Sequence, residues 1–253
     1  MNSKLKKIKD YFIAIIILFL VGTLIVFLYN RTTERSSREL ARQMTQLSPR
    51  GGPPETIEGL RQAIALYEAQ IERHVREAAQ TGVYWKILGA RLADRNMHND
   101  ALAAFERAIY FNTEDASLYY LAGLSASHIA KSFVGFSPND ELERDRFFRL
   151  AENSHLRALE LDVSYTQPMY ALGVLYAFEL DRPEDAIIQL ERYMLIRRSD
   201  IHPLFVLARA YFMIDDLPKT VEIYNRIISN TRDQNVRREA QNLRDMVQGL
   251  RYE

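Results

Sequence analysis

Histidine is the residue type best suited to proton transfer or metal binding near neutral pH, and this chain carries it at positions 74, 98, 128, 155 and 202. The five are scattered. None falls in the HExxH spacing that puts two imidazoles and a glutamate on one helix face around zinc. The absence of cysteine removes disulfides, thiolate zinc sites, iron–sulfur clusters and cysteine nucleophiles together. The patterns GxSxG, GxxxxGKS/T and GxGxxG are missing too, so neither a nucleophile elbow nor a glycine-rich phosphate cradle is present. Adjacent acids such as Asp215-Asp216 and Glu184-Asp185 stand where turns and helix starts favour carboxylates. With nucleophile, base and orienting group never together, the chain is expected not to be an enzyme, with no catalytic, cofactor-binding or metal residues and no cofactor.

The elements that carry these residues follow from composition and patterning. In 253 residues, 33 basic side chains balance 33 acidic ones, and the opposite charges are interspersed, so no field attracts nucleic acid and no nucleic-acid partner is expected. A hydrophobic content of 47% over this length is enough for a sizeable core. Ten glycines and eight prolines are too few for a collagen or a long flexible tail.

One end departs from that average. After a basic tail at 1–10, residues 11–29 run from Tyr11 to Tyr29 without a charge. As a helix they span about 28 Å at about 1.5 Å per residue, which matches a bilayer core of about 30 Å. The run is longer than a signal-peptide core, and Asn30-Arg31-Thr32-Thr33-Glu34 offers no small-residue cleavage site, so an uncleaved single-span anchor is expected. Lys4, Lys6, Lys7 and Lys9 before the span are matched by Arg31, Arg35, Arg38 and Arg42 after it. A short lysine-rich tail is the harder side to translocate, which favours a bacterial inner-membrane protein with its C-terminal domain in the periplasm. The cytoplasmic-facing orientation stays open. Residues 30–54 form a juxtamembrane segment that breaks at Ser48-Pro49-Arg50-Gly51-Gly52-Pro53-Pro54.

From residue 55 to 253 the helical period dominates. Ile57, Leu60, Ile64, Tyr67, Ile71, Val75 and Ala78 recur at three- and four-residue steps, predicting a helix over 56–80 closed by Gly82 as its C-cap. No sustained alternation of period two occurs, so the domain is expected to be all-α. Trp85, Leu88, Gly89 and Leu92 precede Ala101, Phe105 and Ala108. The same pattern returns as Tyr119, Ala122, Gly123 and Ala126 before Ala151, His155 and Ala158. It recurs as Met169, Leu172, Gly173 and Tyr176 before Ala186, Leu190 and Tyr193, and as Leu204, Leu207, Ala208 and Tyr211 before Thr220, Tyr224 and Ile227. This resembles the tetratricopeptide repeat, a helix–turn–helix unit of about 34 residues. The resemblance implies a right-handed α-solenoid of about four repeats, near 82–115, 116–165, 166–200 and 201–234, with flanking helices. A terminal helix near 233–250 would cap its apolar end with Val236, Ala240, Leu243, Val247 and Leu250.

The second repeat holds an insertion at about 129–146. Ser137-Pro138-Asn139-Asp140 reads as a capping serine, a first-turn proline and an early acid, so its second helix is expected to begin there and run to about Leu161. Ser132 to Phe136 is left as a loop carrying Phe133, Val134 and Phe136. These rings either pack back onto the long helix or form a docking tip. His155 takes the place of a core aromatic and is expected to be a satisfied core residue.

The resemblance further implies that first helices line a concave groove. Carried over by repeat position, its residues are Lys86; Tyr120, Leu124 and His128; Tyr170, Val174 and Phe178; and His202, Phe205, Arg209, Phe212 and Met213. Members that bind chaperones clamp a terminal carboxylate with basic and asparagine side chains, and only Lys86 and Arg209 could imitate that here. An aromatic, apolar floor suits an apolar segment or amphipathic helix of a protein partner. Alternatively the rings pack between repeats, or the chain is a structural subunit of an envelope machine (secretion, pilus or flagellar accessory), a homo-oligomer that self-assembles through the second repeat's insertion and the terminal helix without a client. The implied setting is a cell-envelope assembly.

Overall fold

The computed structural model describes residues 56–133, 135 and 137–250, together with Arg42 and Pro54. The span expected at 11–29, the basic tail and nearly all of the juxtamembrane segment lie outside the described residues. Among the described residues, no helix is long and apolar enough to cross a membrane.

The described residues form helices joined by short turns: α1 (Ile57–Ala93), α2 (His98–Phe111), α3 (Ala116–Ser132), α4 (Pro138–Leu161), α5 (Thr166–Phe178), α6 (Pro183–Ile196), α7 (His202–Met213), α8 (Leu217–Asn230) and α9 (Gln234–Leu250). The chain divides into two compact units, the first ending at Arg76 and the second beginning at Glu77. In the first, Thr56 accepts the Gly59 amide through Oγ1 at 3.0 Å and starts α1. The stripe Ile57, Leu60, Ile64, Tyr67, Ile71 and Val75 lies 40–73% exposed.

α1 corrects one expectation. Gly82 does not end a helix; it sits buried inside α1. A β-carbon there would stand 2.4 Å from Nδ2 of Asn112 and 2.9 Å from Cβ of Phe111. The glycine permits a close approach of α2, at a cost to helix stability of about 1 kcal/mol that packing offsets.

In the second unit each helix from α2 to α9 packs on the next, and α5 also touches α3 and α7, so the first helices of the second, third and fourth repeats adjoin one another. Small residues set the spacing within each hairpin. A β-carbon on Gly89 would meet Phe105 at 2.6 Å, one on Gly123 would meet His155 at 2.5 Å, and one on Gly173 would meet Leu190 at 2.5 Å. In the fourth repeat Ala208 stands there, fully buried. Each fully buried leucine or phenylalanine in these hairpins contributes about 1.5–3 kcal/mol.

The turns explain why the helices stop where they do. Asn96, Asp181 and Asp215 take positive φ between the two helices of the first, third and fourth repeats, a conformation that short polar side chains tolerate. The second repeat replaces that turn with its insertion, where Gly135 has φ 74°. Ser137 caps α4 by accepting the Asp140 amide at 3.2 Å, with Pro138 in the first turn. α4 is 24 residues long where α2, α6 and α8 have 14. At the far end Ala240 and Val247 of α9 are buried in one cluster with Ile223, Tyr224 and Ile227 of α8, which closes the apolar edge of the stack.

Candidate binding face of the first helices

α3 and α5 lie side by side, and the groove positions on them converge. Tyr120, Leu124 and His128 of α3 and Tyr170 and Val174 of α5 line one pocket of about 220 Å³. Burial raises the pKa of both phenols, Tyr120 and Tyr170, so they stay protonated at any physiological pH. The pocket has two further features that repeat position alone did not reveal. Lys131 and Glu179 pair across it at 3.1 Å, and His155 of α4 forms part of its wall.

His155 is 1% exposed, as expected of a core residue, but it is not satisfied: its Nδ1 has no hydrogen-bond partner. Burial pushes its pKa down to about 4, so the imidazole is neutral. Its ring centroid lies 5.7 Å from that of Tyr120, which in turn meets Tyr165 edge-on at 5.5 Å. His128 stacks on His98 with centroids 4.2 Å apart and planes 4° from parallel. Burial, then the neighbouring charges of His98 and Lys131, lower the pKa of His128.

The two cations that could have formed a carboxylate clamp are already engaged. Lys86 donates to Asp115 at 2.8 Å and to the Ser117 hydroxyl. Burial tends to raise the pKa of Asp115, but the hydrogen bonds from Lys86 and Ser117 and the charge of Lys86 outweigh it and lower the pKa. Arg209 lies over the Phe178 ring at 4.5 Å and donates from Nε to the Ala177 carbonyl at 3.3 Å.

The remaining positions divide between surface and core. Phe178 is 50% and Phe212 42% exposed, and Met213 is half-buried beside Phe212 in sequence. Phe205 packs on the core of the third and fourth repeats and faces Tyr224 at 6.3 Å. His202 is exposed and borders a separate, more polar cavity of about 430 Å³ shared with Tyr170, Tyr193 and Asp200. In the insertion, Phe133 stacks on Phe147 of α4 at 6.0 Å, so this ring packs back onto the long helix. Val134 and Phe136 lie outside the described residues. Among the described residues no group of three or more His, Asp or Glu side chains is placed to hold a metal ion.

No family model matches the chain. A protein described as a TPR repeat-containing protein of Borreliella burgdorferi is 21% identical over 211 residues, covering 83% of this chain and 90% of its own. The crystal structure of TTC0263, a thermophilic TPR protein of Thermus thermophilus, superposes with a TM-score of 0.53 at 15% identity, covering 81% of this chain and 97% of that one. A fragment of MamA from Desulfovibrio magneticus superposes with a TM-score of 0.53 at 13% identity, over 68% of this chain and 96% of that one.

Proposed function

We propose that this chain, similar in fold to tetratricopeptide-repeat proteins, is a membrane-anchored scaffold whose face of first helices holds a protein partner through an apolar segment or amphipathic helix. The observation that carries the reading is the set of rings that stay exposed on that face, one of them with Arg209 lying over it. Phe178 and Phe212 remain about half exposed, and the half-buried Tyr120 and Tyr170 open onto a pocket. Exposed rings gathered on one helix face point to a partner, because water-exposed rings cost solubility without adding to the core. Buried aromatic contacts are also what dominate binding energy at interfaces.

The anchor at residues 11–29 and the outward-facing domain belong to the same proposal. Tethering raises the effective concentration of the groove at the bilayer, so a modest intrinsic affinity suffices there. A role in a cell-envelope assembly follows from that placement. Capture of a partner from solubilised membranes by the full chain tests it: Phe178→Ala with Phe212→Ala abolishes capture while the helical content is unchanged. Capture equal to that of the unaltered chain would contradict the groove.

The exposed stripe from Ile57 to Val75 favours a second reading, a structural subunit that self-associates. A single apolar seam on an amphipathic helix is self-complementary in the way coiled-coil dimers require. The mass of the full chain in mild detergent separates the two: a monomer that takes up a distinct protein supports the scaffold, and a stable oligomer that takes up none supports the subunit.

A further inference from the structure

In the first three repeats one residue of the second helix packs at the small position of the first, Phe105, His155 and Leu190 in order, and Tyr224 holds the same repeat position in the fourth. Three are apolar bodies. Only the second repeat places an imidazole there, buried and with Nδ1 unpartnered. A polar nitrogen buried without a partner destabilises the folded state. The fold does not need it, because a phenyl ring fills the equivalent slot over Gly89. A β-carbon on that glycine would stand 2.6 Å from Cε1 of Phe105, against 2.5 Å from Cε1 of His155 over Gly123. A local cost that packing does not require marks a position used for something else.

That position coincides with the pocket. Among the described residues His155 is the only second-helix residue in its wall; the others come from α3, from α5 and from Glu179 just beyond it. The volume of about 220 Å³ falls below the ~300–1,000 Å³ of small-molecule sites, and is suited instead to one large side chain. The charges around it cancel: Lys131 and Glu179 neutralise one another at 3.1 Å and the imidazole is neutral, so a carboxylate or an ammonium group would find no free counter-charge. An aliphatic occupant would fill the space but offer the imidazole in the wall no hydrogen bond. An aromatic ring carrying a donor meets every requirement, with Leu124 and Val174 against its body and the rings of Tyr120 and Tyr170 beside it.

We propose that this pocket receives one phenol or indole side chain from the apolar segment of the protein partner, and that the imidazole of His155 accepts the donor it carries. The inference rests on the reading of this face as a partner-binding surface and adds its chemistry. Copies of the pocket in other repeats are not equivalent, because Phe105, Leu190 and Tyr224 offer no imidazole.

The test uses the full chain labelled with ¹⁵N at histidine, titrated with p-cresol and separately with toluene, the same ring without the hydroxyl. The expected result is that both ligands move the His155 signals, with p-cresol half-saturating at a concentration about fivefold lower, the gain from one net hydrogen bond. In the His155→Phe chain, and in His155→Leu should the first misfold, toluene still perturbs the methyl signals of Leu124 and Val174 but the preference for p-cresol is gone. Equal half-saturation by the two ligands in the unaltered chain overturns the inference and leaves partner binding by this face standing. Absence of any response to either ligand overturns it too and also counts against the pocket as a contact, while capture by Phe178 and Phe212 is still decided by its own experiment.

Discussion

The imidazole of His155 sits so close over Gly123 that a β-carbon on the glycine would lie 2.5 Å from Cε1 and 2.7 Å from Nδ1. The ring is almost fully buried and cannot swing into solvent. Gly123→Ala is therefore expected to destabilise the chain by about 1–3 kcal/mol through overpacking. In the double variant with His155→Ala the ring is gone, and the combined loss in urea unfolding should fall short of the sum of the single losses by at least about 1 kcal/mol. Simple additivity would mean that the two residues do not meet.

Burial of His155 makes stability depend on pH. Its pKa is about 4 in the folded chain and about 6.5 when unfolded, so between these values the unfolded state binds the proton and the folded state does not. Stability is then complete above pH ~6.5 and declines as pH falls toward ~4, by about 3 kcal/mol in total. The lowered pKa of His128 acts in the same direction. His155→Phe should flatten most of this slope and raise stability at pH 7 by about 1 kcal/mol, since an unpartnered nitrogen is removed. Denaturant midpoints from pH 7.5 to 4.5 check both signs. An unchanged slope in the variant would contradict the burial of a neutral imidazole.

The spacing of the first hairpin rests on Gly89 in the same way. Gly89→Leu would drive a side chain into Phe105, whose ring atoms lie 2.6–3.0 Å from the β-carbon position, and is expected to cost about 1–3 kcal/mol in thermal or urea unfolding. No change in either would place the repeat boundary elsewhere.

Local chemistry made most of the fold legible. The starts of α3, α5 and α7 fall within a residue of the expected repeat starts, and α4 begins behind the capping Ser137 that the sequence displays. Gly82 was misleading because a glycine signals both a helix end and a close approach, and the second meaning depends on Phe111 and Asn112, far along the chain. The pocket was half legible. Repeat position alone brought Tyr120, Leu124, His128, Tyr170 and Val174 together, since first-helix residues one repeat apart must adjoin. It could not show that Arg209 covers Phe178 or that the nitrogen of His155 lacks a partner, because both depend on neighbours that no local pattern encodes.

Asp115 serves two elements at once. It accepts the Ser117 amide at 2.9 Å as the cap of α3, and the ammonium of Lys86 at 2.8 Å from α1. Asp115→Ala should cost about 1–2 kcal/mol by loss of the cap with its ion pair. Lys86→Met should cost less than about 1 kcal/mol, since both partners are about a third exposed and water screens the pair. Urea midpoints rank the two variants. The reverse order would show that Lys86, not the cap, holds this junction.

Photo-crosslinking in intact membranes tests the central claim most directly, with a photoreactive residue placed at Tyr170 in the pocket or at Ile188, an exposed position on a second helix. The probe at Tyr170 is expected to capture one distinct protein and the probe at Ile188 none, and Phe178→Ala with Phe212→Ala should remove the adduct. Adducts only between copies of this chain, or the same products from both positions, would contradict a groove built for a partner.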